Sequence, residues 1–366
     1  MLPADKFNAV LEGKEIKLFT LTSDASGVSG TSGVSGTTSD SGITMQITNY
    51  GCRIVSLFVP DKNGVYEDVV MGFDNIDDYI QNKGGERFLG AAIGRFANRI
   101  ADAKFSIDEV TYTLPASNAP NCLHGGFKGF DSHVWDVDNV TGNSITLSYI
   151  SNDGDEGFPG TVKVKINYTL SQNNELVIKY EATTDKKTHI NLTHHSYFNL
   201  KGCGENVTDH ILTVYADKYL PVNDVQIPLG IPADVKGTPF DFTSPTPIKK
   251  HIDNDSSQLK TGKGYDHHWA VNSDPHYKGL NHVATLHEPQ SGRTLNVYSD
   301  QEGVQIYTGN FFTGKVIGKY NKPLLYRGSI AIETSKFPDT PNRPDFPTTI
   351  VEAGEVYSQT CIYKFS

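Results

Sequence analysis

The twelve residues Thr188-His-Ile-Asn-Leu-Thr-His-His-Ser-Tyr-Phe-Asn199 concentrate groups that can move protons and bind polar ligands. In an extended strand, successive side chains fall on opposite faces. Ile190, Leu192, His194, Ser196 and Phe198 then make a largely packing face, and His189, Asn191, Thr193, His195 and Tyr197 make a polar, aromatic one. A merely solvated strand face usually carries Lys or Glu, and this one carries neither. Rings with polar tips are what a ligand face needs. His194 and His195 project oppositely and cannot chelate one ion, and His267 and His268 are under the same restriction if their stretch is extended. HExxH and closely spaced His/carboxylate trios are absent from the sequence, so no metal is expected. GxGxxG and GxxxxGK[ST] are absent as well, and no cofactor is expected.

Near the C-terminus, Gly328-Ser-Ile-Ala-Ile-Glu-Thr334 sets Ile330 and Ile332 on one strand face, with Ser329, Ala331 and Glu333 on the other. Small neighbours leave a pocket beside the carboxylate, and partial burial would raise its pKa toward a useful base range. Taken alone, the segment also fits a strand-end Glu in solvent. Val304-Gln305-Ile306-Tyr307 repeats the pattern, with Gln305 and Tyr307 on its polar face. Three loop motifs add candidates. Asn121-Cys-Leu-His-Gly-Gly126 sets His124 before two glycines, which fit either close backbone approach to a ligand or a plain turn. Gly94-Arg-Phe-Ala-Asn-Arg99 offers Arg95 and Arg99, each either a structural ion pair or a hydroxyl-binding fork. Gly264-Tyr-Asp-His-His-Trp269 surrounds Asp266 with rings, the usual dress of a sugar site, where a carboxylate accepts from hydroxyls while rings stack on C–H faces.

The elements that must position these groups are strands. Short apolar or alternating runs bounded by Gly, Asn, Asp and Pro recur at 43–49, 53–59, 104–113, 144–150, 161–170, 175–183, 188–199, 211–216, 282–287, 293–299, 304–308, 329–334 and 356–364. Their close spacing leaves no room for repeated βαβ crossovers, so an all-β antiparallel sandwich or barrel with a few short helices is expected. The proline-rich stretches 221–239 and 338–347 read as loops, either functional rims or plain connections. Ser/Gly/Thr-rich 24–42 reads as a flexible insertion in a hairpin, which keeps residues 1–366 in one domain. With 18 Tyr, 18 Phe and 34 Gly, the composition suits many strands and turns, and 37% hydrophobic residues exclude disorder as the main state. A formal net charge of −10 argues against nucleic acid and anionic lipid as partners. Four scattered cysteines without a CxxC, a polar N-terminus and no membrane-length apolar run predict a cytoplasmic protein.

Taken in order, GRFANRI (94–100), NCLHGGFKGFD (121–131), NLTHHSYFNL (191–200), GYDHHW (264–269), GVQIYTGN (303–310) and AIETSKFPD (331–339) resemble the aldose 1-epimerase (galactose mutarotase) family along almost the whole chain. DEGFPG (155–160), ADKYLPVND (216–224) and LNVYSDQ (295–301) extend the likeness. The resemblance implies a large antiparallel β-sandwich, a mutarotase-like supersandwich. It also implies cofactor-free interconversion of α and β anomers of hexoses such as galactose and glucose. By the same resemblance Glu333 is the general base and His195, rather than His194, the general acid. Asn98, Arg99, His124, Tyr197, Asp266 and Gln305 match substrate-binding positions. Family members commonly have Asn where His194 stands, and 24–42 is not a usual family feature. Two other readings fit the same fold: a hexose-6-phosphate 1-epimerase, which would want an additional basic cluster, and a catalytically silent sugar-binding sensor. Monomer and dimer fit the sequence equally.

Overall fold

The computed structural model describes residues 1–23 and 42–366. Its named strand pairs are all antiparallel. The largest sheet has ten strands, and its long centre runs Ser144–Ser151, Val162–Ser171, Glu175–Thr184, Val356–Phe365, Thr294–Ser299 and Leu280–His287. A six-stranded sheet orders Tyr197–Phe198, Ile330–Ser335, Gly303–Tyr307, Asp266–Ala270, Lys218–Leu220 and Ala233–Asp234. A four-stranded sheet is built from Leu18–Thr22, Thr44–Thr48, Arg53–Pro60 and Tyr66–Asp68. The α-helices among the described residues are two short ones, Ile76–Ile80 and Ser257–Gly262. No described helix is long and apolar enough to cross a membrane.

The alternation read from the sequence is what packs these sheets. In Val162–Ser171, Val162, Val164, Ile166, Tyr168 and Leu170 are buried while Lys163 and Lys165 are exposed. One core cluster collects Ile166 and Tyr180 from the large sheet, Ile332 and Trp269 from the six-stranded sheet, and Ile47 and Leu57 from the four-stranded one. Direct ties cross it. Tyr363 OH donates to the Ile332 carbonyl at 3.0 Å, and Gln359 Nε2 donates to the Thr334 carbonyl at 3.1 Å. These two bonds flank Glu333 from behind.

Several elements differ from expectation. Residues 104–113 form a hairpin, Lys104–Ile107 with Val110–Thr113, because the left-handed residues Asp108 and Glu109 turn the chain. The 188–199 stretch is three two-residue strands, each paired elsewhere: Thr188–His189 with Ile350–Val351, Thr193–His194 with Ala92–Ile93, and Tyr197–Phe198 with Ile330–Ala331. Asp266 opens a central strand rather than lying in a loop. Most of the 24–42 insertion lies outside the described residues. Its flanks pair Thr22 with Thr44 in an antiparallel ladder.

Burial leaves the core histidines uncharged. Desolvation lowers His194, His267 and His268 from 6.5 to about 3. Above pH 6.5 each is neutral folded or unfolded and contributes nothing to pH dependence. Below it, the unfolded chain takes up protons that the folded chain excludes, so stability falls as pH drops toward the folded values, by ~1.4 kcal/mol per histidine per pH unit. Thermal melts should therefore show Tm falling between pH 7.5 and 5.5; an unchanged Tm would contradict this account of the core.

Candidate active site

Register places most of the site on one face of the six-stranded sheet. Residues directly opposite in an antiparallel pair share a face, as do residues two apart in one strand. Gln305 pairs with Glu333 and with His268; Tyr307 pairs with Asp266 and with Ala331; Ala331 pairs with Tyr197. Tyr197, Glu333, Gln305, Tyr307 and Asp266 thus emerge together. Ile330, Ile332, Val304, Ile306, Trp269 and Phe198 take the opposite face and enter the core.

His195 reaches Glu333 from the crossing 188–199 segment. Its N–H donates to the Ala91 carbonyl at 2.8 Å, and its carbonyl accepts from Gly90 N–H at 3.0 Å, so the backbone on both sides of the ring is fixed. His195 Nε2 lies 3.4 Å from Glu333 Oε1, with the two side chains only 5% and 4% exposed. Tyr197 stacks on the His195 ring at 4.6 Å and Phe88 at 5.9 Å. Desolvation dominates both titrations, pushing Glu333 well above the ordinary carboxylate value, with the Asp266 charge adding to the rise and Arg99 opposing it. The same burial lowers His195 to about 3. Each side chain is therefore favoured in its neutral form.

His124 approaches from the LHGG turn. A ring nitrogen of His124, a ring nitrogen of His195 and a carboxylate oxygen of Glu333 lie within 4.8 Å of one another, a trio distant in sequence and assembled only in space. Two positive φ values shape this corner, Asn98 at 65° and His124 at 50°. Asn98 N–H donates to His124 Nδ1 at 3.2 Å, while His124 N–H donates to the Asn98 carbonyl. An Nδ1 that accepts must leave the neutral ring's proton on Nε2. His124 thus offers the site a donor, and metal ligation through Nε2 would need the opposite tautomer. The trio does not suit a metal. Gly125 serves the turn and not a ligand: a Cβ there would sit 2.1 Å from the Gly94 carbonyl oxygen, so the missing side chain lets the two loops meet.

At the far end, Gln305 Nε2 donates to Asp266 Oδ1 at 2.7 Å. Arg99 Nε donates to Asn118 Oδ1 at 3.0 Å and Arg99 Nη2 to Gln226 Oε1 at 2.6 Å. Gln226 Nε2 donates in turn to Asp266 Oδ2 at 2.5 Å. All eight candidates thus converge: Glu333, His195, His124, Asn98, Arg99, Tyr197, Asp266 and Gln305. Arg95 does not join them. It is buried and clamps a loop through Ser151 Oγ and the carbonyls of Ser151, Asn152 and Pro159. His189 packs edge-on against Phe105, and Asn191 exchanges hydrogen bonds with the Lys336 backbone just beyond the Glu333 strand. Gln226 and Phe88 were not legible as site residues. The only signal for Gln226 was its membership of the proline-rich 221–239 rim.

A family model described as aldose 1-epimerase matches residues 36–364. The chain belongs to the aldose 1-epimerase family. It is 42% identical over 325 residues to a galactose mutarotase of Bos taurus, covering 88% of this chain and 91% of that protein. It is 35% identical over 328 residues to an aldose 1-epimerase of Escherichia coli strain K12, covering 89% and 93%. The fold superposes on a galactose 1-epimerase structure from Lactobacillus acidophilus NCFM with a TM-score of 0.81 at 27% identity, over 98% of this chain and 96% of that one. An aldose epimerase homologue from C. elegans gives 0.80 at 29% identity, over 88% and 95%. The large antiparallel β-sandwich is thus the family's architecture.

The His124 tautomer gives a test of the epimerase's metal chemistry. After dialysis against chelator and re-exposure to one equivalent of zinc, elemental analysis should find no retained ion; stoichiometric zinc, lost in His124→Ala, would contradict the assigned tautomer.

Proposed function

We propose that this aldose 1-epimerase interconverts the α and β anomers of free hexoses such as galactose and glucose, with Glu333 as general base and His195 as general acid. The observation that carries the roles is the 3.4 Å approach of two desolvated groups of opposite proton affinity. Opening a pyranose removes the proton from O1 and protonates the ring oxygen O5. Glu333 as carboxylate takes the O1 proton, His195 as imidazolium supplies O5, and the C1–O5 bond breaks to leave the aldehyde. Rotation about C1–C2 presents the other carbonyl face; O5 then adds back to C1, returning its proton to His195 while O1 regains the one held by Glu333. Each transfer is worth ~10² to 10⁴ in rate.

Proton bookkeeping links this cycle to the burial. The closed ring meets Glu333 carboxylate and His195 imidazolium, and the open chain meets carboxylic acid and neutral imidazole. The total proton count is the same. A dry site that disfavours both charges therefore favours the enzyme form that accompanies the open chain, lowering the cost of ring opening. His124 donates through Nε2 to a sugar oxygen, while Asn98, Arg99, Asp266, Gln305 and Tyr197 fix hydroxyls and ring so that C1 faces both catalysts. The hexose-6-phosphate reading would want an added basic cluster, and among the eight converging candidates Arg99 is the one lysine or arginine. The whole chain acts as one catalytic unit in this reading. A cytoplasmic site of action accords with Cys52, Cys122, Cys203 and Cys361 all being free thiols.

Two predictions follow from the roles. Polarimetry of fresh α-D-galactose and α-D-glucose should show acceleration by the protein, and Glu333→Gln or His195→Asn should each lower kcat by ~10² to 10⁴ with folding intact; near-wild-type turnover in either variant would overturn the assignment. The second concerns pH. The pair works with one proton shared between its members, a state lost only when pH falls through the lowered His195 value or rises through the raised Glu333 value. Catalysed turnover should show no acid limb between about pH 5 and 7, because His195 titrates well below that range. A limb centred near the ordinary histidine value of 6.5 would contradict it.

A further inference from the structure

Gln226 comes from the rim segment 221–239, far in sequence from the rest of the site, yet its amide joins two groups of opposite charge. Oε1 accepts from Arg99 and Nε2 donates to Asp266. The amide is delivered from a held turn. Gln226 has a left-handed backbone, φ 61°, which a residue with a long side chain adopts only where its surroundings fix it. Its N–H donates to the Asn223 carbonyl at 2.9 Å, and Asn223 Oδ1 accepts from the N–H groups of Val225 and Ile227. Gln258 exchanges two hydrogen bonds with the Val222 backbone, and Asn121 Nδ2 donates to the Val225 carbonyl at 3.1 Å. The turn is thus stapled both to the Ser257–Gly262 helix and to the loop ahead of His124.

The bridge has a consequence for the two charged groups. Asp266 is the foremost charge acting to keep Arg99 protonated, so the pair attract, yet they meet through a neutral amide. A guanidinium and a carboxylate left to themselves close into a bidentate pair that occupies the donors and acceptors of both. With the amide between them, each Asp266 oxygen accepts one amide proton and keeps a second lone pair, and the Nη1 end of Arg99 remains for a ligand.

We infer that Gln226 is a specificity-determining spacer: its neutral amide holds Arg99 and Asp266 apart, so that both address the hydroxyls of one hexose ring instead of closing on each other. The inference rests on the hexose-binding reading above. Gln226→Met keeps the length and removes both hydrogen bonds, while Gln226→Glu keeps the shape and sets a second carboxylate beside Asp266. KM and kcat for galactose and glucose are read by polarimetry. Binding is read separately by titration calorimetry with 1,5-anhydrogalactitol, a galactose ring without the O1 hydroxyl that cannot open.

In Gln226→Met, KM should rise about ten-fold, the value of one hydrogen bond to a charged group, and anhydrogalactitol affinity should weaken by the same factor. The loss should fall on KM rather than on kcat, a split that a general loosening of the fold would not give. The galactose-to-glucose ratio of KM should also change. A folded Gln226→Met with wild-type KM and wild-type anhydrogalactitol affinity overturns the inference. Should that variant not fold, wild-type KM in Gln226→Glu overturns it equally. If the wild-type protein binds anhydrogalactitol but turns over neither sugar, the epimerase reading fails, and the spacer is judged on the binding ratio alone.

Discussion

A carboxylic acid withdrawn from water, whose close ionic partner among the described residues is an equally withdrawn histidine, is the constraint on which this site depends. Removing a charge from water costs several kcal/mol unless pairing and hydrogen bonds compensate, and Glu333 and His195 respond by favouring their neutral forms. In a binding protein that would be a plain cost of burial. In the proposed anomer exchange it is useful, because the step that breaks the ring would annihilate a carboxylate and an imidazolium. In that reading the cost of desolvation is borne by the enzyme form that meets the closed ring and relieved as the protons move.

Holding such a pair requires a sheet that cannot slip. A shift of one residue in the Ile330–Ser335 register would turn Glu333 into the aromatic core and Ile332 into the site. The opposite face prevents it. Phe198 lies 5.2 Å from Tyr363, and the Tyr363 and Gln359 side chains bond the Ile332 and Thr334 carbonyls on either side of Glu333. The ten-stranded sheet therefore acts on the chemistry at one remove, by fixing which face the carboxylate occupies. His195 is fixed differently, by backbone pairing with Gly90 and Ala91 and by the stacked rings of Tyr197 and Phe88.

Sequence pattern was informative where the chemistry followed strand alternation. Parity separated His195 from His194, and the structure keeps them apart: His194 packs edge-on against Tyr168 and bonds Ser196, while His195 faces Glu333. That held although 188–199 is not one strand: His195 lies between two short strands, and its N–H and carbonyl bond Ala91 and Gly90. The same parity failed for His189 and Asn191, which precede a change of pairing partner. Glu333, Gln305 and Tyr307 were legible for the same reason, since their strands are regular. Residue type and spacing did not separate Arg95 from Arg99, which the family resemblance alone singled out, because what separates them is which loop each meets. Gln226 was hidden because its role arises from contacts across 127 and 40 positions of the chain. The His124 tautomer was hidden too, as it depends on a single backbone N–H.

The charge state of Glu333 in the ligand-free protein is the most direct test of this account. Infrared difference spectroscopy between the wild-type protein and Glu333→Gln, followed from neutral pH into acid, isolates that one side chain. A protonated carboxyl C=O band that persists well above the ordinary glutamate value of 4.5, present in wild type and absent from the variant, is the predicted result. Carboxylate bands at neutral pH that disappear only near the ordinary glutamate value of 4.5 would contradict it.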